Sequence, residues 1–452
     1  MEKRRFVAGI GSVGRLCRQP SIAQPLSPSL LKSPSVKPPS SSTDTVVSVP
    51  LLDLRRQYES LREEVLAAIA RVCDSQGFIL GPEVEALERE ICALTGATAG
   101  VGCSSGTEAL WLALVAAGVR PGDSVITSTF SFFASASSIV RAGATPILLD
   151  VDPGTLNLDA ARVTKYLREH VGRNAATGTT GAKEQGRVSA ILPVHLYGQC
   201  ADMDAFDQIA QEFKVAIVED AAQAIGASWR GRGAGSLGAT AAFSFYPTKN
   251  LSAYGDAGIA TTTDPEMAEH MRRLRNHGSP RRYYHDEFGW NGRMDAIQAA
   301  VLRVKLPHVA EWNQARRKHA ASYDRLLVEA GLISGSHLAI ASTAGSGKTP
   351  SSVPVRVLSR DPRAVHVFHQ YVIRVQGRDE LRKFLADRKI GSEIYYPLPL
   401  HLQPVFSYLG LKEGDLPVAE QAAKEVLALP MFPELMDEEI GCVVEKIAEF
   451  YS

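Results

Sequence analysis

The chain has 452 residues, in which 49 lysines and arginines balance 49 aspartates and glutamates. A neutral chain gives no reason to expect bulk binding to nucleic acid or to an anionic membrane. Its length allows two globular domains, and no apolar run approaches the roughly 18 residues of a membrane-spanning helix. None of the six cysteines forms a CxxC pair, and no His/Cys cluster has zinc-site spacing. We therefore predict a cytoplasmic protein with free thiols and no metal.

Residues 1–48 differ in composition from the rest of the chain. They are rich in serine, proline and basic residues, and Glu2 is their only acid before Asp44. Such a segment cannot bury a core, and we predict a disordered extension. Its composition is typical of an organelle transit peptide, and a misassigned start codon would explain it equally well.

The predicted folded part begins at Val49 with two helices. Apolar residues recur at helical spacing from Leu54 to Val72, and residues 77–82, which include glycine and proline, end this helix. A second amphipathic pattern runs from Val84 to Leu94. Neither helix contains a residue whose type suggests catalysis.

Strands and helices alternate from about residue 100 to residue 263. The predicted strands are short and apolar: 124–127, 146–150, 188–194, 215–219, 241–246 and 257–262. The predicted helices between them are 107–117, 133–141, 203–213 and 265–275. Short apolar strands separated by amphipathic helices predict an α/β fold with a mostly parallel sheet, covered by helices on both faces.

The C-terminal part has a different pattern, which predicts a smaller α+β domain. Its predicted elements are a helical region over 294–327 with a break at Pro307, strands at 369–375 and 393–396, and helices at 378–388, 416–427 and 437–450. Two stretches rich in small and polar residues, 172–186 and 334–363, are predicted to be inserted loops. We divide the folded chain into a large domain, residues 49–295, and a small domain, residues 296–452.

Lys249 is the first candidate for chemistry. It follows the apolar strand 241–246, which Pro247 ends, and so lies at the edge of the sheet where α/β proteins bind ligands. Aromatic and small neighbours would lower the pKa of this amine, which favours a covalent bond to a carbonyl at neutral pH.

Two further motifs, together with Ser244, would hold a phosphorylated aromatic cofactor. Gly106 and Thr107 open a helix whose N-terminus can bind phosphate, and Ser244 can add a hydroxyl. Asp220 ends a buried strand, where its carboxylate can pair with a protonated ring nitrogen. Gln223 could then donate to a phenolic oxygen of the same ring.

Two more residues complete the predicted cofactor site. Asn291, in an Asn-Gly-Arg turn, is a candidate phosphate ligand. Phe132, one of three phenylalanines after the strand 124–127, could stack on the flat ring.

The ordered set of these motifs resembles the DegT/DnrJ/EryC1/StrS family of sugar aminotransferases, from Val49 to the C-terminus. The matching stretches are Ser105 to Thr107, Pro193 to Gly198, Glu219 to Ala224, Phe243 to Leu251, Asn276 to Gly278, Asn291 to Asp295, Tyr396 to His401 and Gly414 to Pro417. The resemblance implies the fold-type-I architecture of the aspartate aminotransferase class and pyridoxal 5'-phosphate (PLP) as cofactor.

The resemblance also implies roles for single residues. Lys249 would bind PLP covalently, Asp220 would pair with the ring nitrogen and Gln223 with the phenolic oxygen. Asn291 would reach the phosphate in a neighbouring subunit, which makes the protein a homodimer with shared sites. Three residues near such sites are candidate substrate contacts: His195, Tyr197 and Tyr396. For His195 and Tyr197 the alternative is a structural role in supporting the loop.

The implied reaction transfers an amino group from L-glutamate to a nucleotide-linked keto-sugar. The opening Val49 to Leu54 resembles members that act on 3-keto sugars, which favours position 3 over position 4. Two alternatives stay open, a keto-cyclitol or related substrate without a nucleotide, and a non-catalytic relative that only binds ligand.

Overall fold

The computed structural model describes residues 48–174, 186–334 and 353–452. Nearly all of the predicted extension, residues 1–48, and most of the two predicted insertions lie outside these ranges. Within them, no helix combines the length and the apolar character that crossing a membrane requires.

The first part of the chain alternates helices with strands. Its helices are α1 (Leu54–Ser75), α2 (Pro82–Thr95), α3 (Gly106–Ala116), α4 (Phe133–Arg141), α5 (Ala160–Asn174), α6 (Met203–Phe213), α7 (Pro265–Leu274), α8 (Ala296–Lys305) and α9 (Val309–Glu329). Its strands are β1 (Ala99–Cys103), β2 (Ser124–Ser128), β3 (Thr145–Leu149), β4 (Val188–Leu192), β5 (Ala216–Asp220), β6 (Ser228–Trp229), β7 (Arg232–Gly233), β8 (Thr240–Ser244) and β9 (Gly258–Thr262).

Seven of these strands form one sheet in the order β1-β9-β8-β5-β4-β2-β3. The pairs among β3, β2, β4, β5 and β8 are parallel, whereas β9 runs antiparallel to both of its neighbours. The carboxyl ends of six strands therefore meet at one edge of the sheet. The mostly parallel α/β sheet predicted from the sequence is confirmed.

Alternate residues of the strands supply two apolar cores, one on each face of the sheet. Along β5, Ile217 packs in the core shared with α1, α2, α6 and α8, and its neighbour Val218 packs in the core shared with α3 and α7. This period of two is the geometry of an extended strand, and the first three residues of β5 are all apolar because both faces of the sheet are covered.

The C-terminal part adds a second, smaller layered structure. Its elements are β10 (Val355–Val357), β11 (Ala364–Val365), β12 (Tyr371–Val375), α10 (Arg378–Asp387), α11 (Pro417–Glu425), β13 (Val426–Leu429) and α12 (Asp437–Tyr451). The antiparallel sheet β10-β12-β13 packs with α9, α10 and α12 in a separate core. Val49, at the other end of the chain, is fully buried in this core.

Two predicted elements are corrected by the structure. The strand predicted at 393–396 is absent, and this stretch makes only an isolated bridge, between Glu393 and Ala428. The helix predicted over 416–427 ends at Glu425, and the chain continues directly into β13. A short apolar run such as Val426–Leu429 fits a buried strand and a buried helical turn equally well, so its pattern could not separate the two.

Some packing crosses the predicted domain boundary at residue 295, and the division into two domains stays a prediction. Ala299 and Leu302 of α8 lie in the core of the seven-stranded sheet, so this core extends beyond residue 295. Within the predicted insertion 334–363, residues 355–357 form strand β10. Strand β1 and helix α5 were not predicted, because β1 is rich in glycine and α5 is mostly polar.

Candidate active site

Neighbouring strands bring the predicted site residues together at the carboxyl edge of the sheet. Strand β5 ends at Asp220 and the adjacent, parallel β8 ends at Ser244, with Lys249 on the loop that follows. Residues from this edge and from the C-terminal part enclose a cavity of about 870 Å³. That volume is at the upper end of the range for ligand sites and is sufficient for a cofactor together with a substrate.

Lys249 is partly buried and its amine faces this cavity. The loop turns sharply after Pro247, and the Lys249 amide N–H donates to the carbonyl oxygen of Tyr246 at 2.8 Å. Burial lowers the pKa of the Lys249 amine to about 8, against an opposing effect of the Asp220 carboxylate. A substantial fraction of the amine is therefore neutral and nucleophilic near physiological pH.

Asp220 is 5% exposed and lines the same cavity. Its carboxylate accepts hydrogen bonds from Ser135 Oγ at 2.6 Å and from the Ala222 amide at 3.2 Å. Burial raises the pKa of Asp220, while these two donors and the charge of Lys249 act in the opposite direction. The arrangement keeps an acceptor oxygen beside the cavity in a dry environment, where pairing with a cation is strong.

Gln223 stands one turn beyond Asp220 and also lines the cavity. Its Oε1 accepts from the amide of Tyr197 at 2.6 Å, which leaves Nε2 to donate. Nε2 donates to the hydroxyl of Tyr396 at 3.1 Å, and Tyr396 lines the cavity as well. Gln223 therefore presents a donor, as its predicted contact with a phenolic oxygen requires.

The N-terminus of α3 fits a phosphate group. Gly106 approaches Ser244 so closely that a side-chain Cβ on Gly106 would lie 2.5 Å from the Cβ of Ser244. Ser105 caps the helix by accepting from the Glu108 amide at 3.1 Å, and the exposed hydroxyl of Thr107 faces the cavity. Free N–H groups, a positive helix end and two hydroxyls make a suitable anion site.

Phe132 is 58% exposed and lines the cavity. Its ring centroid lies 6.3 Å from that of Tyr396. The open face of this ring provides a surface on which a flat aromatic cofactor could stack.

Two predicted substrate contacts lie away from the cavity. His195 is fully buried, with Nε2 3.0 Å from Glu219 Oε2 and Nδ1 accepting from the Ala201 amide at 3.1 Å. The hydroxyl of Tyr197 is also buried and donates to the carbonyl oxygen of Tyr395. Neither side chain lines the cavity, and both connect segments of the fold, which favours the structural alternative.

Asn291 is exposed and does not line the cavity of its own chain. The following Gly292 packs against Glu108, whose carboxylate pairs with Arg141 at 2.5 Å. The Arg141 guanidinium lies over the ring of Trp111, with its carbon 4.6 Å from the ring centroid. These contacts hold the Asn291 turn beside the start of α3.

Several residues that line or support the cavity were not predicted from the sequence. Ser131 and Ser135 form a hydrogen-bonded hydroxyl pair at 2.8 Å that continues to Asp220. His369 and Glu393 come from the C-terminal part. The only sequence signal for the serines was their i, i+4 spacing after a strand end, and nothing in the local pattern identifies the other two.

The comparisons with known proteins agree with this geometry. Residues 59–448 match the DegT/DnrJ/EryC1/StrS aminotransferase family. A relative described as a pleiotropic regulatory protein, from Geobacillus stearothermophilus, is 50% identical over 90% of this chain and 99% of its own length. A UDP-N-acetyl-3-dehydro-α-D-glucosamine 3-aminotransferase from Acidithiobacillus ferrooxidans is 40% identical over 88% of this chain and 97% of its own.

A solved structure, that of S. venezuelae DesV, is also similar. It superposes with a TM-score of 0.78 at 41% identity and covers 89% of this chain and 98% of its own. The chain therefore belongs to the DegT/DnrJ/EryC1/StrS aminotransferase family, whose members are PLP-dependent enzymes. The family, fold class and cofactor predicted from the sequence are confirmed.

Proposed function

We propose that this enzyme transfers an amino group from L-glutamate to a nucleotide-linked keto-sugar, with the 3-keto form favoured over the 4-keto form. The observation that carries the proposal is the convergence of Lys249, Asp220, Gln223 and the α3 N-terminus on one cavity. Relatives named as 3-aminotransferases of nucleotide sugars support the choice of substrate and of position.

The residues that would hold PLP are those of the carboxyl edge. Gly106, Thr107 and Ser244 would bind its phosphate, Asp220 would keep the ring nitrogen protonated, and Gln223 would donate to the phenolic oxygen. Bound in this way, PLP supplies an electron sink for the carbon that carries the amino group.

Lys249 has two tasks in this proposal. Its Nζ would bind the cofactor covalently and, when free, would carry a proton to and from the carbon that bears the amino group. A pKa of about 8 suits this task, because the amine can both accept and donate a proton near neutral pH. Phe132 would hold the plane of the ring by stacking.

We also propose that the enzyme acts as a homodimer. Lys249 is the only lysine or arginine among the described residues that line the cavity. One cation is too few to bind both the diphosphate of a nucleotide sugar and the two carboxylates of glutamate. The turn with Asn291 follows an exposed aromatic segment, in which Phe288 is 97% and Trp290 54% exposed. A second copy that covers this segment would bury its apolar surface, and Asn291 would reach the neighbour's phosphate site.

The test is glutamate-dependent amination measured across a panel of dTDP- and UDP-linked 3-keto and 4-keto sugars, by mass spectrometry of the sugar product. We expect turnover with at least one 3-keto sugar. Lys249→Ala should reduce this turnover by about 10⁴-fold or more and abolish the absorption band of the bound cofactor. Lys165→Ala, at a lysine 76% exposed on α5, is the matched control and should behave as wild type.

Two results would contradict the proposal. Amination of a keto-cyclitol and of none of the nucleotide sugars would move the enzyme to another substrate class. Cofactor uptake without any amino transfer from glutamate would indicate a protein that only binds ligand. Analytical ultracentrifugation of the loaded enzyme tests the dimer separately, and a monomer that retains full activity would exclude shared sites.

A further inference from the structure

A buried histidine in the C-terminal part faces the cavity beside Lys249. His369 is 8% exposed, lines the cavity and precedes strand β12. Its Nδ1 lies 3.1 Å from Oδ1 of Asn250, the residue that follows Lys249 in the chain. This hydrogen bond therefore connects the segment before β12 to the loop that carries Lys249.

The hydrogen bonds of Asn250 determine which nitrogen of His369 carries the proton. The amide nitrogen Nδ2 of Asn250 donates to Asn313 Oδ1 at 2.8 Å and to the carbonyl oxygen of Val367 at 3.1 Å. Asn313 is oriented in turn, because its own Nδ2 donates to the carbonyl oxygen of Ile225 at 3.0 Å. Oδ1 of Asn250 is thus an acceptor, and His369 must donate to it through Nδ1–H.

This tautomer leaves the other ring nitrogen as an acceptor. His369 Nε2 has no hydrogen-bond partner among the described residues. Burial, together with the charges of Lys249 and Arg316, lowers the pKa of His369 well below its usual value of 6.5. The ring is therefore neutral at physiological pH and is too weak a base to compete with Lys249 for protons.

We propose that His369 binds the sugar substrate by accepting, through Nε2, a hydrogen bond from one of its hydroxyl groups. The inference rests on the proposed function, because it names a contact within that site. A lone pair at this position repels the carboxylates of the amino donor, whereas a sugar ring offers several hydroxyl donors. His369 would then orient the keto-sugar in one half of the reaction and contribute little to the other half.

The test separates the two half-reactions in His369→Asn. Asparagine can still donate to Asn250 from the position of Nδ1 and lacks the acceptor at the position of Nε2. Single-turnover absorbance changes of the bound cofactor report amino transfer from glutamate, and then amino transfer to whichever keto-sugar the wild type accepts. We expect kcat/KM of the sugar half-reaction to fall 10- to 100-fold, with a change of less than about 3-fold in the glutamate half-reaction.

His366→Asn is the matched control. This histidine is nearby in sequence, and its Nδ1 accepts from the Phe368 amide at 2.9 Å, but it does not line the cavity. It should leave the ratio of the two half-reactions unchanged. His369→Gln is the complementary variant, because its side-chain amide places an acceptor oxygen near the position of Nε2 and should restore part of the sugar half-reaction.

A second measurement tests the tautomer directly. ¹⁵N NMR of histidine-labelled wild-type protein, with His369→Asn for assignment, should show that Nδ1 of His369 is protonated and Nε2 is unprotonated from pH 8 to pH 6. A protonated Nε2, or equal losses in both half-reactions, or no loss in either, would each overturn the inference. A wild type that fails with glutamate and every sugar would contradict the proposed function instead, and the NMR result would still decide the tautomer.

Discussion

Glu219 and Asp220 are adjacent acids at the end of one buried strand, yet their surroundings differ completely. Glu219 is fully buried and is satisfied within the protein by His195 and by the amides of Gly235, Leu237 and Gly238, at 2.7 to 3.0 Å. Asp220 points to the other side and reaches the cavity beside Lys249. Successive side chains of a strand point to opposite sides. This alternation alone can give one acid a structural role and place its neighbour in the candidate active site.

For this pair of acids, the largest effect on activity is expected when the carboxylate of Asp220 is removed. Asp220→Asn keeps an acceptor oxygen for the Ala222 amide and turns an NH2 group toward Ser135, whose hydroxyl can accept from it. The variant loses the charge that would hold a ring proton. We expect kcat to fall by about 10³-fold, as for other groups that stabilise charge in a transition state. Stability should stay the same or rise, because burial disfavours this charge. Wild-type turnover in steady-state assays would contradict the assignment.

For Glu219 we expect the opposite, a large loss of stability and a small loss of activity. Glu219→Gln turns one acceptor oxygen into a donor that faces backbone N–H groups, and unfolding in urea should show a loss of about 3 kcal/mol. Activity per folded molecule should change much less than in Asp220→Asn. Glu212→Gln, at a surface residue paired with Arg168, is the control and should change stability by less than about 0.5 kcal/mol. Equal stability of Glu219→Gln and Asp220→Asn would contradict the difference proposed between the two acids.

A smaller effect should follow the loss of the hydroxyl that supports Asp220. Ser135→Ala removes a 2.6 Å hydrogen bond that lowers the pKa of Asp220, so the carboxyl group becomes easier to protonate. We expect activity to fall about 10-fold, in line with a hydrogen bond to a charged group. Ser138→Ala on the same helix, whose hydroxyl donates to the Thr107 carbonyl oxygen, should be near wild type. Identical kinetics for the two variants would exclude the positioning role.

The smallest expected effect is a shift in pH dependence. The neutral amine of Lys249 is the nucleophile, so PLP uptake by the cofactor-free protein should accelerate as pH rises through about 8 and then level off. The Asp220 charge raises the pKa of Lys249, and Asp220→Asn should therefore move this midpoint to lower pH. Stopped-flow absorbance measures both. A midpoint near 10.5, the ordinary lysine value, would show that burial does not act on this amine.

Much of the fold could be predicted from the sequence because its strands are short, apolar and bounded by turns. Strands β2 and β8 and helices α4 and α6 were all predicted within two residues of their ends. The strand predicted at 393–396 is wrong, because a short run of residues that favour strands does not reveal whether a partner strand is present. Glu393 meets only Ala428, at an isolated bridge.

Site residues could be predicted from the sequence where a chemically suitable side chain lies at the end of a predicted strand. Lys249 and Asp220 both follow strand ends, so a parallel sheet brings them to one edge without further information. His369 could not be found in this way, because its place at the cavity depends on how the C-terminal part packs on Asn250. His195 was included as a candidate from the resemblance, and only the packing shows that it faces Glu219.

The pairing of β1 with β9 has a consequence for how the protein folds. Cys103 pairs with Gly258, 155 residues later, and Gly258 is packed directly against the backbone of Ser105. Closing so long a segment is slow, and the start of α3 cannot reach Ser244 before β8 and β9 are in place. We therefore expect the phosphate site at the N-terminus of α3 to form late in folding. A ribosome-bound chain shorter than about 260 residues should not retain PLP, because it lacks part of β9.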